Sequence, residues 1–389
     1  MKRMYFDNAA STPLDPEVQT AMDVASGLTG NPSALHEEGR QARAVIDDAR
    51  DAVADLLRVD AGEIVFTSGA TEANWLGIMG YMSAVRRAHP DVRLHVLTTP
   101  LEHASVKAVM SRLTEEGVDV EVLPVDEYGC VTADVVLSAV REETVLVAVM
   151  WVNNLFGAMQ PIPEIGEMIT RVRKGREADA VLPIVLFSDA VQAVGTQDVF
   201  PDASNVDLLT ISGHKIFGPK GVGVLFVRDT IPFTPVAGGG GQERGRRAGT
   251  ENVAAIAGIG EATRILVDVR TDEAIRLTSL RDRLVAGLAD VRGFARVLGD
   301  RRHIAPHIVY VLFRKDADTM VVSLDVEGVA VSSGSACDTG TRKTDDVLRT
   351  VCSDREATHG GVRFSFGRFT SEGEVDALLA ILDKIGSRN

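Results

Sequence analysis

The chain has 389 residues, 45% hydrophobic and 25% charged, with near-average glycine and proline, enough to bury a large core and to divide into two domains. Its formal net charge of −14 argues against a general binder of nucleic acid or anionic membrane, because a polyanion is repelled unless a local basic patch faces it. Three cysteines in so long a chain, Cys130, Cys337 and Cys352, exclude a disulfide framework; none has the paired spacing of a zinc site, so no metal is expected and a reducing cytoplasm fits.

The first residues, Met1-Lys2-Arg3-Met4-Tyr5-Phe6-Asp7, lack the apolar core of a signal peptide, and no run is long and apolar enough to suggest a bilayer span. From about residue 37 to residue 259, short β-rich apolar runs alternate with amphipathic segments, the pattern of a mostly parallel sheet covered by helices. Ala42, Val45, Ile46, Ala49, Val53, Leu56 and Leu57 recur at three- and four-residue spacing and predict a helix with one apolar stripe. It ends before a strand at 64–66. Further strands are expected at 94–97, 118–123, 145–151, 181–187, 206–211 and 223–227.

The glycine run 238–241 reads as a loop within a domain, since patterned sequence continues on both sides. Near it Arg244, Arg246 and Arg247 form a local basic patch, better read as a solvated or phosphate-facing loop than as a nucleic-acid site. Beyond about Ala262 the pattern changes to long helical segments over 262–291, strands at 307–313 and 362–366, and a final helix. Ser371 and Glu374 have capping-box spacing at that helix's start.

Several apolar runs end in residues that carry chemistry. Lys215, in Ser212-Gly213-His214-Lys215, follows the run 206–211 and precedes a glycine-rich hairpin; a partly desolvated amine there suits a Schiff base with pyridoxal phosphate, though the same motif can simply end a strand at a turn. Asp189 follows the run 181–187 at the edge where open α/β sheets bind ligands. It could keep a pyridinium nitrogen protonated, or cap the next helix. Residues 67–74, Thr67-Ser68-Gly69-Ala70-Thr71-Glu72-Ala73-Asn74, form a small-residue turn opening a helix, whose free amides suit a phosphate. His103 could stack on a ring and move protons, or act as a helix cap. Cys337 sits in Ser332-Ser333-Gly334-Ser335-Ala336-Cys337-Asp338-Thr339-Gly340, without apolar cover, a setting for a travelling thiolate or for a plain surface loop. Cys130 and Cys352 lack such a setting and read as structural.

Taken in order, these segments resemble the NifS/IscS cysteine desulfurases, which have the aspartate-aminotransferase fold (fold type I) and use pyridoxal 5′-phosphate. The likeness runs from Tyr5-Phe6-Asp7-Asn8-Ala9-Ala10-Ser11-Thr12-Pro13 through Gly30-Asn31-Pro32-Ser33, Val152-Asn153-Asn154 and Gly238-Gly239-Gly240-Gly241-Gln242-Glu243-Arg244-Gly245 to Val362-Arg363-Phe364-Ser365-Phe366-Gly367-Arg368-Phe369-Thr370. The resemblance implies an α/β chain whose large domain, 15–262, carries a mostly parallel sheet, and whose smaller α+β domain comprises 1–14 and 263–389. It makes Lys215 the Schiff-base lysine, Asp189 the pyridinium partner, Gln192 a contact to the ring oxygen and His103 the stacking residue. Ala70, Thr71, Ser212 and His214 would hold the phosphate, with Thr250 reaching it from the other subunit of a homodimer. Asn154 would lie beside cofactor and substrate, and Arg363 would fork onto the carboxylate of L-cysteine.

The implied reaction removes sulfur from L-cysteine, releases L-alanine and leaves a persulfide on Cys337 for an acceptor, such as an iron–sulfur scaffold or a tRNA-thiolation protein. A selenocysteine lyase or aminotransferase of the same fold, with Cys337 dispensable, and a non-catalytic sulfur-relay subunit are the alternatives. The chain departs from the family at Trp75, where a small polar residue is usual, and at Leu155-Phe156, where the family has Glu-Ile. The segment after Cys337 lacks the family's Glu-Pro-Ser element. Asp338 is expected to raise the Cys337 pKa, with Arg342 and Lys343 opposing it.

Overall fold

The computed structural model describes residues 3–176, 182–300, 302–333 and 346–387. In chain order, strand β1 (Met4–Tyr5) is followed by helices α1 (Pro16–Ser26) and α2 (Glu37–Leu57). An alternation follows: β2 (Ile64–Thr67), α3 (Ala70–Ala88), β3 (His95–Thr98), α4 (Ala104–Glu115), β4 (Asp119–Val122), α5 (Ala133–Ala139), β5 (Thr144–Ala148), α6 (Ile162–Arg176), β6 (Val185–Asp189), β7 (Leu208–Ser212) and β8 (Gly223–Val227). The long helix α7 (Val253–Gly287) leads to β9 (Phe294–Val297), β10 (Ile308–Phe313), α8 (Ala317–Val326), β11 (Val329–Ala330), α9 (Asp354–His359), β12 (Val362–Ser365) and α10 (Glu372–Gly386).

Seven strands form one sheet in the order β2-β8-β7-β6-β5-β3-β4. From β7 to β4 every pairing is parallel, and β8 opposes both of its neighbours. Both faces are covered, which is why β5 to β8 read as near-continuous apolar runs rather than as alternation. Leu97, Val147, Leu186 and Leu209 pack in one core with Ile46 and Val53 of α2, Ile165 of α6 and Ile259 of α7. Val96, Leu146, Phe187 and Leu208 pack in the other with Tyr81 of α3 and Val109 of α4. Arg50 of α2 and Glu243 are paired bidentately at 2.8 and 2.9 Å with both side chains enclosed; Glu243 also accepts the Phe66 amide at 2.9 Å, fastening the loop before α7 to β2.

A second assembly packs antiparallel β12-β10-β9 and parallel β1-β11 against α8, α10 and the later part of α7. Helix α7 serves both cores, Ile259 and Leu266 in the first and Leu280 and Leu284 in the second. The boundary expected at 262/263 falls inside this helix. Residues 7–12 run from one assembly to the other: Asn8 donates its amide to Ser365 O at 3.4 Å and Thr12 to His214 O at 2.9 Å. Among the described residues, no helix is long and apolar enough to cross a membrane.

The strands expected at 64–66 and 223–227 form there, and the Ser371–Glu374 capping box closes in both directions. Other elements shift for identifiable reasons. β6 extends to Asp189 and β7 to Ser212, so polar residues finish apolar strands. Past β5, Val149 and Trp151 still donate their amides to Phe187 O and Asp189 O, and the apolar run continues as extended chain. Helix α7 starts at Val253, ahead of the expected 262, because the Asn252 side chain caps it by accepting from the Ala255 amide. α1 and β9 are absent from the sequence reading: α1 is announced mainly by Asp15 as cap and Pro16 at its first turn, and β9 is half exposed. The basic patch is spent within the chain, since Arg244 donates to Ala61 O, Arg246 pairs with Asp229 and Arg247 with Glu72.

Candidate active site

The C-terminal ends of β3, β5, β6 and β7 open onto a cavity of about 600 Å³, the edge at which open α/β sheets take ligands. Lys215 reaches it from a single 3₁₀ turn that ends β7. Its Nζ donates to Ala9 O at 2.6 Å and Ala10 O at 2.7 Å, so the N-terminal segment holds the amine at the cavity wall.

Asp189, at the end of β6, is buried and lines the same cavity. Its Oδ1 accepts the Val191 amide at 3.0 Å and its Oδ2 accepts from Asn74 Nδ2 at 3.0 Å. Because a carboxylate here only accepts, Asn74 must present its NH2 group, which also donates to Ser105 Oγ at 2.9 Å. His103 caps α4: its Nδ1 accepts the Ser105 amide at 3.2 Å and lies 2.8 Å from Ser105 Oγ. An accepting Nδ1 leaves the ring proton on Nε2. A continuous hydrogen-bond chain thus joins Asp189 to His103 through Asn74 and Ser105, and His103 both caps a helix and lines the cavity. Beside it, buried Glu102 accepts from Thr99 Oγ1 and the Met150 amide, each at 2.8 Å, and burial pushes its pKa up to about 8.

Ala70 and Thr71 line the cavity at the start of α3. Helices such as α1, α5 and α10 carry side-chain caps, whereas no side chain caps α3. Its first amides are free for an anion. Gly69 holds φ at +151°, and Gly223 of β8 lies so close that an added Cβ would stand 2.6 Å from the Gly69 carbonyl carbon and 3.0 Å from the Ala70 amide nitrogen. Two glycines therefore let strand and turn backbone meet. Ser212 and His214 complete this end. Burial first, then Lys215 and Lys220, bring the His214 pKa down to about 4, so its ring is neutral near pH 7.

Across the cavity, buried Arg363 of β12 donates to Asn154 O at 2.8 Å and to Asp7 Oδ1 at 3.0 Å. Gln192 donates from Nε2 to Ala9 O at 2.8 Å. The structure therefore gathers Lys215, His103, Asp189, Gln192, Asn154, Arg363, Ala70, Thr71, Ser212 and His214 around one space. Thr250 is exposed and lines a neighbouring cavity of about 160 Å³ instead, and Cys337, with Asp338, Arg342 and Lys343, lies outside the described residues.

Asn74 and Asp7 act here without having been singled out in the sequence. Asn74 carried a signal: it is a polar residue on the apolar stripe of α3, in register with Ile78, Tyr81 and Val85. Asp7 carried none beyond its place in the N-terminal motif. Of the departures, Trp75 is partly exposed on α3, while Leu155 and Phe156 are buried in one cluster with Tyr310 and Leu348.

The family description "Aminotransferase class-V" matches residues 4–378. The chain belongs to the class-V aminotransferase family. This family uses pyridoxal phosphate. Within it the chain is 39% identical over 386 residues to "Cysteine desulfurase IscS 1" of Archaeoglobus fulgidus, covering 99% of this chain and 97% of that protein. Among solved structures, a "NIFS-like protein" superposes with a TM-score of 0.88 at 33% identity, covering 98% of this chain and 99% of the other. "SspA in complex with cysteine" does so with a TM-score of 0.80 at 31% identity, covering 95% and 100%. The mostly parallel seven-stranded sheet and the smaller antiparallel one thus belong to a fold shared with the NIFS-like protein over nearly the whole chain.

Proposed function

We propose that the protein is a cysteine desulfurase that holds pyridoxal 5′-phosphate in the cavity at the sheet edge, takes L-cysteine as substrate and passes its sulfur through Cys337 to an acceptor. The observation that carries this reading is the convergence of Lys215, Asp189, His103 and Arg363 on one space beside the uncapped start of α3. The residues present fit the cofactor. A buried carboxylate suits a protonated ring nitrogen, a free helix N-terminus with Ser212 and neutral His214 suits a phosphate, and Gly223 leaves room for the turn that presents those amides.

When bound, the cofactor supplies a sink for the electron pair left on the substrate Cα. Asp189, oriented by Asn74 and the Val191 amide, would hold the proton on the ring nitrogen. Arg363 receives the substrate carboxylate in a geometry that a guanidinium fork provides and an ammonium does not. Lys215 Nζ, released from Ala9 O and Ala10 O, takes the Cα proton and returns one to the carbon skeleton. In the transfer, the substrate C–S bond breaks and an S–S bond forms at Cys337. L-Cysteine and the Cys337 thiol become L-alanine and a Cys337 persulfide, with carbon reduced as sulfur is oxidised, so no outside oxidant enters. Exposed Thr250 is read as reaching the site of a second copy, which makes the working unit a homodimer. The acceptor is read as an iron–sulfur scaffold or a tRNA-thiolation protein.

Incubating the cofactor-loaded protein with L-cysteine is expected to release alanine and to add the mass of one sulfur to the peptide containing Cys337. Cys337→Ser is expected to stop turnover. Full alanine release by Cys337→Ser, with position 337 unmodified in the parent protein, would overturn the proposal and favour a lyase or aminotransferase.

A further inference from the structure

His307 precedes β10 and takes no part in the chemistry above. It is half-buried and lines a small cavity of about 50 Å³ that also touches Lys215, Gln192, Glu273 and Arg368. Its Nε2 lies 3.2 Å from Gln192 Oε1. The direction of this bond follows from a third group. Ala9 O can only accept, so the Gln192 end that meets it at 2.8 Å is the NH2 group, and the end that meets His307 is the carbonyl oxygen. A carbonyl oxygen carries no proton, and the His307 proton therefore sits on Nε2. Nδ1 is left bare: it is shielded from solvent and has no hydrogen-bond partner among the described residues.

The surroundings favour the neutral ring. Burial first, then Arg363 and Lys215, push the His307 pKa down to about 4. The Gln192 carboxamide, which lines the main cavity, is thus clamped at both ends, its Nε2 donating to Ala9 O and its Oε1 accepting from His307, so a second N–H is what the amide has left to offer. Without the His307 donor the amide could rotate and turn its oxygen toward an acceptor in the cavity, which would repel it.

We propose that His307, as the neutral tautomer protonated on Nε2, is a positioning residue that fixes the Gln192 amide with its N–H toward the ring oxygen of the bound cofactor. The proposal rests on the cofactor reading given above. The competing role, a ring that only fills space, predicts no coupling between His307 and Gln192.

The test has two parts. In the cofactor-loaded enzyme labelled with ¹⁵N-histidine, the signal lost in His307→Gln is expected to report an Nε2–H neutral ring at pH 7; an Nδ1–H tautomer or a charged ring there overturns the proposal. The second part follows the visible band of the bound cofactor against pH. His307→Phe is expected to move its midpoint by about half a unit or more, and His307→Gln, which keeps a donor, to restore most of the difference. Gln192→Leu is expected to give a similar shift, and the double variant no further one. An unmoved midpoint in His307→Phe, or shifts that add in the double variant, overturns the proposal. Absence of any visible band in the parent protein would instead sink the cofactor reading, and the tautomer measurement on the same sample would still decide the orientation of the clamp.

Discussion

Asp189 works only because its neighbours dictate what its two oxygens do. One accepts a backbone amide, the other accepts Asn74, and both sit in a buried wall; on the proposed cofactor reading a neutral substitute there would not hold a positive ring nitrogen. Asp189→Asn is expected to lower kcat for alanine release by about 100-fold or more, with a smaller effect on KM, because the lost charge matters most as electrons enter the ring. Steady-state kinetics alongside the visible cofactor band check this; an unchanged kcat would remove Asp189 from the chemistry. Asp189, Lys215 and His103 stand out in the sequence because each lies within a few residues of the end of an apolar run. Asn74, Asp7 and His307 were not, because what defines them is a partner 115, 356 and 115 residues away.

The uncapped start of α3 depends on strand β8, laid against it only because residue 223 has no side chain. Gly223→Ala would set a Cβ within 2.6 Å of the Gly69 backbone, which cannot move aside as the tip of a flexible side chain could. The substitution is expected to leave the helix content unchanged and to weaken cofactor binding by about 10-fold or more as the turn 68–71 is displaced. Equilibrium titration of the stripped protein with pyridoxal phosphate, beside far-ultraviolet circular dichroism, measures both. Cofactor affinity equal to the parent's would show that the turn relaxes without harm. Elements of this kind were readable in proportion to their burial. Strands covered on both faces appear as apolar runs, whereas two-residue β1 and β11 and half-exposed β9 leave almost no pattern.

Enclosed and half-buried titratable groups near the cavity shape how the whole molecule responds to pH. Glu102 is raised from 4.5 to about 8, so the folded chain holds its proton more tightly than the unfolded one; that contribution is full below pH 4.5 and is lost as pH rises through 8. His214 and His307 are lowered from 6.5 to about 4, so the folded chain resists their protonation; their contribution is full above pH 6.5 and is lost as pH falls toward 4. These three groups together place maximal stability near pH 6.5. Glu102→Gln keeps an oxygen for Thr99 and Met150 and removes the titration. Its Tm is expected to stay level between pH 6.5 and 8.5, relative to a parent Tm that falls by about a few degrees. Parallel decline of both proteins would mean that Glu102 holds no extra proton in the fold.

The amino-acid order alone determined the alternation of strands and helices, the capped ends such as Ser371–Glu374, and the kinds of chemistry waiting at the strand ends, because periodicity, capping and strand termination act over a few neighbouring residues. Only the tertiary structure decided which of those groups meet, which way each amide and imidazole faces, and that residues 7–12 wall the cavity. Those outcomes depend on acceptors brought together from opposite ends of the chain, as when Ala9 O receives both Gln192 and Lys215. A hydrogen bond has a direction only once both partners are in place.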